Sequence, residues 1–232
     1  LYGLVNSPRL WWRAIAGWLI NADGWVMHSM NPALLMKYES TVLIGIIILH
    51  VDDVIGTACR RSVFDAMLAH FEWGSQNWNQ IDYCGKQLRK GNGFCRVTQP
   101  VFRGAIEICK LPRGRRDEQK ELLTKSEISD HKSNIGTLTW VGSNSDPTIS
   151  ATTSLVQGPE LTVEMFIKAS SLLKEVKDDA DDGIILLPIP LDEAIILNFS
   201  DSSWANAANH KSQAAYCIML GTLDCLSEQG GE

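Results

Sequence analysis

Residues 41–58 constrain the fold more than any other stretch. They read TVLIGIIILHVDDVIGTA, in which two apolar runs flank the adjacent carboxylates Asp52 and Asp53. Segments rich in Val and Ile favour β-strands. Two strands joined at a tight turn would project both carboxylates from the tip, while the apolar residues would anchor the strands in a sheet. The sequence therefore predicts an antiparallel hairpin with an acidic tip.

The chemistry of this tip has two interpretations. Carboxylates are hard oxygen ligands, and Mg²⁺ in phosphoryl-transfer enzymes is held by one or two carboxylates together with substrate phosphates. A pair of such ions can stabilise both the attacking and the leaving oxygen. However, Asp is also a common turn residue. The Asp-Asp pair alone therefore does not distinguish a magnesium site from a solvated turn.

The remaining elements follow from periodicity and from turn residues. Ser7 and Pro8 fit an N-cap and a first helical residue, and apolar residues then recur at helical spacing as far as residues 21–24. Further helices are predicted at residues 62–71, 100–110, 127–145 and 160–177. Strands besides the hairpin are predicted at residues 25–28, 34–38, 81–88, 94–99, 184–189, 194–199 and 214–220, with Asp201 directly after 194–199. This order predicts an α+β fold of layered sheets and helices.

Charge is distributed unevenly along the chain. Residues 1–120 carry 15 Lys and Arg against 10 Asp and Glu, whereas residues 121–232 carry 6 against 17. The basic first half also holds six of the eight Trp residues. A basic, aromatic region is compatible with a nucleic-acid groove, and an ordinary basic surface over a Trp-rich core is the alternative.

Several classes of protein are disfavoured by composition. The apolar run at 42–49 is far shorter than the ~20 residues of a membrane helix, and no signal peptide is apparent, so we expect an intracellular protein. The six Cys show no C-x-x-C spacing, which favours reduced thiols over a zinc site. The acidic run at 178–183 favours a solvated linker over a metal site. The start at Leu1, within an ongoing pattern, suggests a fragment of a longer polypeptide.

Five motifs occur in a recognisable order along nearly the whole chain. They are LYGLVNSPRLWW at 1–12, LHVDDVIGTA at 49–58, IDYCGKQLRK at 81–90, IGTLTW at 135–140 and FSDSSWAN at 199–206. Together they resemble a copia-type LTR-retrotransposon polyprotein, at the point where reverse transcriptase runs into ribonuclease H. The resemblance implies a partial polymerase palm at 1–99, a helical thumb or connection with an acidic linker at 100–182, and a truncated ribonuclease H-like α/β segment at 183–232.

The resemblance also assigns roles to individual residues. Asp52 and Asp53 match the aspartates of the Y-x-D-D motif, with His50 in place of its Tyr, and would be catalytic metal ligands. Asp201 matches the first metal-binding carboxylate of ribonuclease H. The nucleotide and template side of the site is matched by Gly3, Ser7, Pro8 and Arg9. The hairpin that grips the primer is matched by Tyr83, Cys84 and Gly85.

The implied reaction is template-directed attack of a primer 3′-hydroxyl on the α-phosphate of a deoxynucleotide. Mg²⁺ would be the cofactor, and an RNA template, a DNA primer and the rest of the polyprotein would be partners, in a cytoplasmic particle or the nucleus and without a membrane. The third palm aspartate of the family would fall before Leu1, so the isolated chain is expected to be inactive. The alternatives are a degenerate transposon remnant that at most binds nucleic acid, and an unrelated α+β structural domain.

Overall fold

Antiparallel sheets and packed helices make up the fold. The computed structural model describes residues 5–158, 160–207 and 211–226. The helices are α1 (Ser7–Ala22), α2 (Asp65–His70), α3 (Pro100–Gly104), α4 (Lys125–Asn144), α5 (Ser150–Leu155) and α6 (Val163–Asp178). The strands are β1 (Val26–Met27), β2 (Leu34–Glu39), β3 (Val42–His50), β4 (Asp53–Ala58), β5 (Gln80–Tyr83), β6 (Lys86–Lys90), β7 (Cys95–Thr98), β8 (Gly183–Leu186), β9 (Ile195–Ala207) and β10 (Lys211–Gly221). The predicted α+β class is confirmed.

The chain divides into two compact units, Leu1–Trp78 and Asn79–Glu232. The first unit contains α1, α2 and a sheet with the order β1-β2-β3-β4. Helix α1 presents Ile15 and Leu19 to a core that also contains Ile47 and Leu49 of β3. Ile48, between these two, is exposed. This alternation is the period-2 pattern of a strand with one face on the core, and it fixes β3 firmly in the first unit.

Close packing around Gly45 adds to this anchoring. A Cβ at Gly45 would lie 2.9 Å from Cγ1 of Val63 and 3.1 Å from Cη2 of Trp25, so the strand needs a bare backbone here. The indole N–H of buried Trp25 donates to Oδ2 of Asp23 at 2.8 Å. Lys37 pairs with the other oxygen of Asp23 at 2.7 Å. The indole is therefore held against β3 by both packing and a satisfied hydrogen bond.

The second unit contains the sheet β5-β6-β7-β8 and the hairpin β9-β10. Strand β8 follows α6 in sequence but pairs with β7, with Ile184 opposite Val97. Helix α4 begins with a capping box, in which Thr124 and Glu127 each accept from the other residue's backbone N–H. Helices α4 and α6 share a core that includes Leu138 and Leu173. Strand β8, which follows the helical region in sequence, thus returns to complete the sheet that begins with β5.

A buried ion pair lies at the C-terminal ends of helices α4 and α6. Arg103 of α3 is fully buried and donates to the backbone oxygen of Asp179 at 2.9 Å and to Oγ of Ser145 at 3.3 Å. It also pairs with Asp146 at 3.4 Å. Asp146 belongs to the Asn-Ser-Asp-Pro segment at 144–147. The pair ties α3 to the ends of α4 and α6.

Most predicted elements are present within a few residues of their expected bounds, and several expectations need correction. The strand predicted at 81–88 is two strands, because Cys84 and Gly85 adopt φ of 49° and 73° and reverse the chain. The helix predicted at 100–110 ends at Gly104. Asp201 lies inside β9 rather than after a strand, because pairing with β10 extends that strand to Ala207.

Two further points concern boundaries. Ser7 is the first residue of α1, and Asn6 occupies the N-cap position without a side-chain cap. The division of the chain at residues 99 and 182 stays a prediction. In the part of the chain that the structure describes, no helix is both long enough and apolar enough to cross a membrane.

Candidate functional site

Asp52 and Asp53 occupy the tip of the β3-β4 hairpin. His50 pairs with Asp53 across the turn, so Val51 and Asp52 are the two connecting residues. Strand β3 is paired on one side with β2 and on the other with β4, which makes it an interior strand of its sheet. The predicted hairpin is therefore present, and its tip carries the predicted carboxylates on an anchored strand.

The backbone of Val51 is strained. Its φ is 54°, in the left-handed region. In this region the Cβ of an L-residue approaches the following carbonyl oxygen, and for a β-branched residue such a φ is a genuine outlier. Positive φ at only the first connecting residue is typical of a type II′ turn, which usually places Gly there. Strain of this kind costs about 1–3 kcal/mol and clusters at functional sites.

The two carboxylates are available to a cation. Both Asp52 and Asp53 are exposed. Within residues 5–158, 160–207 and 211–226, neither side chain makes a hydrogen bond or an ion pair. Two adjacent hard oxygen donors with no protein partner match what Mg²⁺ takes from a protein when substrate phosphates and water supply the other ligands. The donor set at the tip thus fits Mg²⁺.

The described residues contain no group of three or more His, Cys, Asp and Glu placed to hold a metal ion. His50 lies directly opposite Asp53 in the hairpin, and directly opposed residues in an antiparallel pair share a face of the sheet. The imidazole and one carboxylate therefore lie on the same exposed side of the tip.

The residues matched to the nucleotide and template side lie at the start of α1. Ser7, Pro8 and Arg9 form its first turn, and Pro8 is suited to this position because its missing N–H would have no helical partner. Gly3 lies outside the described residues. The first turn of α1 belongs to the same compact unit as the carboxylate tip.

The residues matched to the primer grip form a second hairpin tip. Tyr83 pairs with Lys86, which leaves Cys84 and Gly85 as the connecting residues. Both have positive φ, as a type I′ turn requires. The ammonium group of Lys86 donates to Oδ1 of Asn144 at 2.8 Å, so helix α4 supports the turn.

Asp201 lies on β9 opposite Ala215 of β10 and is exposed. Its Oδ1 accepts the backbone N–H of Ser202 at 2.8 Å. Asp52 and Asp53 thus lie at one hairpin tip as sequence neighbours, whereas Asp201 and the turn at 83–85 belong to the second unit.

One pair of basic residues was not predicted from the sequence as a candidate site. Arg89 and Arg96 lie directly opposite each other on β6 and β7 and line a polar cavity. A signal was present at Asn92-Gly93, because counting outward from a two-residue turn at these positions pairs Arg89 with Arg96. The strand predicted at 81–88 ends before Arg89 and therefore leaves this pair out.

Comparison with known proteins identifies no relative: no family model, curated protein or solved structure matches the chain. A functional assignment therefore rests on the residues and on their geometry.

Proposed function

We propose that this chain carries the metal-binding hairpin of an RNA-directed DNA polymerase of the copia retrotransposon type. The observation that carries the proposal is the pair of exposed carboxylates Asp52 and Asp53, which have no partner among the described residues. They lie beside a strained Val51 at the tip of an anchored hairpin. A solvated turn needs neither an anchored central strand nor a β-branched residue at positive φ. The tip has the properties of a site that must present two carboxylates rigidly to a ligand.

The order of the motifs supports the same proposal. The acidic hairpin is followed by the turn at Tyr83 to Gly85 and then by a helical region, which is the order of palm, primer grip and thumb in the resembled family. We assign residues 1–99 to a partial palm, 100–182 to thumb and connection, and 183–232 to the start of a ribonuclease H domain with Asp201 as its first carboxylate. Gly3, Ser7, Pro8 and Arg9 would face the nucleotide and template.

The proposed chemistry divides between metal and protein. Bound Mg²⁺ would neutralise charge that develops on the reacting phosphate. Asp52 would be the principal ligand and Asp53 a weaker one, and the hairpin would hold both in place. Base pairing with the RNA template would select the deoxynucleotide, so the protein would contact mainly backbone and shape.

A second candidate is a degenerate remnant that binds nucleic acid without catalysis. The basic first half of the chain favours it, since Lys and Arg exceed Asp and Glu there by 15 to 10. His50 in place of the motif's Tyr is compatible with the same interpretation. Both candidates predict salt-dependent binding to an RNA–DNA primer–template, so only metal binding at the tip separates them.

The test uses Mn²⁺ as a paramagnetic probe of the full chain labelled with ¹⁵N. We expect Mn²⁺ to broaden the amide signals of residues 50–54, Mg²⁺ to compete with it, and Asp52→Asn to abolish the effect. Asp65→Asn, which removes one exposed carboxylate from α2 in the same unit, is the matched control and should change nothing at the tip.

The outcomes separate the candidates. Local broadening together with primer–template binding supports the polymerase hairpin. Primer–template binding without local broadening supports the remnant, and the absence of both overturns both. Primer extension by the isolated chain, lost in Asp52→Asn, would contradict the expected inactivity while supporting the assignment of the tip.

A further inference from the structure

We propose that Arg89 and Arg96 form a binding site for a phosphate group on the sheet of the second unit. The two residues are paired across β6 and β7, so their side chains leave the same face of the sheet. Both line a cavity of about 110 Å³, together with Gln87, Thr98 and Asp181. Every side chain of this lining is polar or charged. The cavity therefore offers two guanidinium groups and a mainly polar surface.

The electrostatics of the free protein favour an anion in this cavity. Like charges directly opposite each other in a sheet are destabilising. Within the described residues neither guanidinium forms an ion pair or a side-chain hydrogen bond. Nε of Arg96 is also shielded from solvent without a hydrogen-bond partner. An unmade hydrogen bond from a buried donor is costly, and an oxyanion between the two residues would relieve both penalties.

The lining also has the donors that select phosphate. Each guanidinium presents its N–H groups as a planar fork that matches two oxygens of a phosphate. Thr98 carries a hydroxyl group. Gln87 is oriented by a hydrogen bond from its amide nitrogen to Oδ1 of Asp82 at 3.4 Å. Asp181 is the single acidic residue of the lining, so the charge of the lining is +1, and its carboxylate competes with the ligand.

The size of the cavity limits the ligand to one group. Pockets that enclose a drug-sized molecule measure roughly 300–1,000 Å³, several times the volume here. A whole nucleotide does not fit, but a single phosphate does. Arg89 and Asp181 are exposed, so the rest of a larger ligand can lie outside. The phosphate can therefore belong to a nucleic-acid backbone or be free in solution.

This inference goes beyond the proposed function, because none of its residues is among those assigned to the metal, to the nucleotide and template side, or to the primer grip. The site on β6 and β7 can exist whichever chemistry Asp52 performs. Its test must therefore give a result that does not depend on metal binding or on nucleotide transfer.

The first experiment titrates inorganic phosphate into the full chain at constant ionic strength, with chloride as the balancing anion. The readout is the Nε–H signals of arginine in ¹H–¹⁵N NMR spectra. We expect the Arg96 Nε–H signal to shift in a saturable manner. Arg89→Gln should weaken binding roughly tenfold, through the loss of one charge-assisted contact. Since Arg89 is exposed, this variant should keep its fold, which circular dichroism checks.

Two further variants separate a built site from general attraction. Lys90→Gln removes one positive charge from the neighbouring position of the same strand, on the opposite face, and should leave the affinity unchanged. Asp181→Asn removes the competing carboxylate and should strengthen binding roughly threefold. No saturable shift of Arg96, or equal loss in Arg89→Gln and Lys90→Gln, would overturn the proposal.

The source of the phosphate is settled by comparing ligands. A single-stranded oligonucleotide that binds at least tenfold more tightly than inorganic phosphate, with an affinity that depends on Arg89, identifies a nucleic-acid backbone. Equal affinity for inorganic phosphate and the oligonucleotide, counted per phosphate group, identifies a free phosphate. Oligonucleotide binding that does not depend on Arg89 would show that nucleic acid uses another surface.

Discussion

The strain at Val51 gives a quantitative prediction that can be tested with a matched pair of substitutions. An L-residue in the left-handed region costs roughly 1–2 kcal/mol, whereas Gly loses about 0.5–1 kcal/mol more backbone freedom than Ala on folding. We therefore expect Val51→Gly to be more stable than Val51→Ala by about 0.7 kcal/mol. Both substitutions remove the partly exposed valine side chain beyond Cβ, so its lost packing cancels in the comparison.

The control pair is placed at Thr57, an exposed residue of β4 with ordinary negative φ. There Thr57→Gly should be less stable than Thr57→Ala by about 0.5–1 kcal/mol. The free energy of unfolding of the Gly variant minus that of the Ala variant is compared between positions 51 and 57. The difference between these two values measures the cost of the left-handed conformation and should equal roughly 1–2 kcal/mol. Hydrogen exchange at the backbone amide of Ile47, in the core of the same sheet, measures the opening free energy of this unit without interference from the other one.

A clear result would refute the reasoning. If Val51→Gly is no more stable than Val51→Ala, the turn is not strained at Val51, and the strain offered as a sign of function disappears. If Val51→Gly is more stable than Val51→Ala by the expected amount, the native valine lowers the stability of the turn. The Mn²⁺ experiment on Val51→Gly then shows whether rigidity at the tip is needed for metal binding.

Four further predictions concern the second unit. Leu173→Ala, at a fully buried position between α4 and α6, should destabilise this unit by about 2–5 kcal/mol in urea unfolding. Arg103→Ala and Asp146→Ala should each cost about 3–5 kcal/mol, because each leaves a buried charge unpaired, and the double variant should cost less than the sum of the two. Thr124→Ala should cost about 0.5–2 kcal/mol through loss of the helix cap, seen as faster amide exchange in the first turn of α4. Burial lowers the pKa of His131, so the unfolded chain binds a proton first as the pH falls. The stability from this group is complete above about pH 6.5 and is lost as the pH falls through the folded-state pKa; His131→Gln should flatten the pH dependence of urea midpoints in this range.

The elements that were predicted well are those whose signal is local. Helix α1 and the hairpin at 42–58 follow from Pro8, from helical spacing, and from two apolar runs around two turn residues. A hairpin of this kind is specified by a few neighbouring residues, because runs of Val and Ile favour strands and the turn decides the register. The carboxylates Asp52 and Asp53 could therefore be placed at a tip from sequence alone.

The residue pattern predicted one strand at 81–88 and missed the turn at 84–85, although the resemblance implied a hairpin at Tyr83, Cys84 and Gly85. Cys84 is not a typical residue for positive φ, so the Cys84-Gly85 pair lacks the Asn-Gly or Asp-Gly signal of a two-residue hairpin turn. The tertiary structure supplies what the pattern lacks, since Lys86 is held by Asn144 of α4. Asp201 was misplaced similarly, because the length of β9 depends on its pairing with β10.

The amino-acid sequence by itself determined an α+β chain with an acidic hairpin and a basic first half. Those properties reside in residue types and short spacings, which act before any long-range contact forms. Only the tertiary structure decided that Val51 is strained and that Arg103 pairs with Asp146. These depend on backbone angles and on pairings between residues distant in sequence, which packing selects from many locally equivalent alternatives.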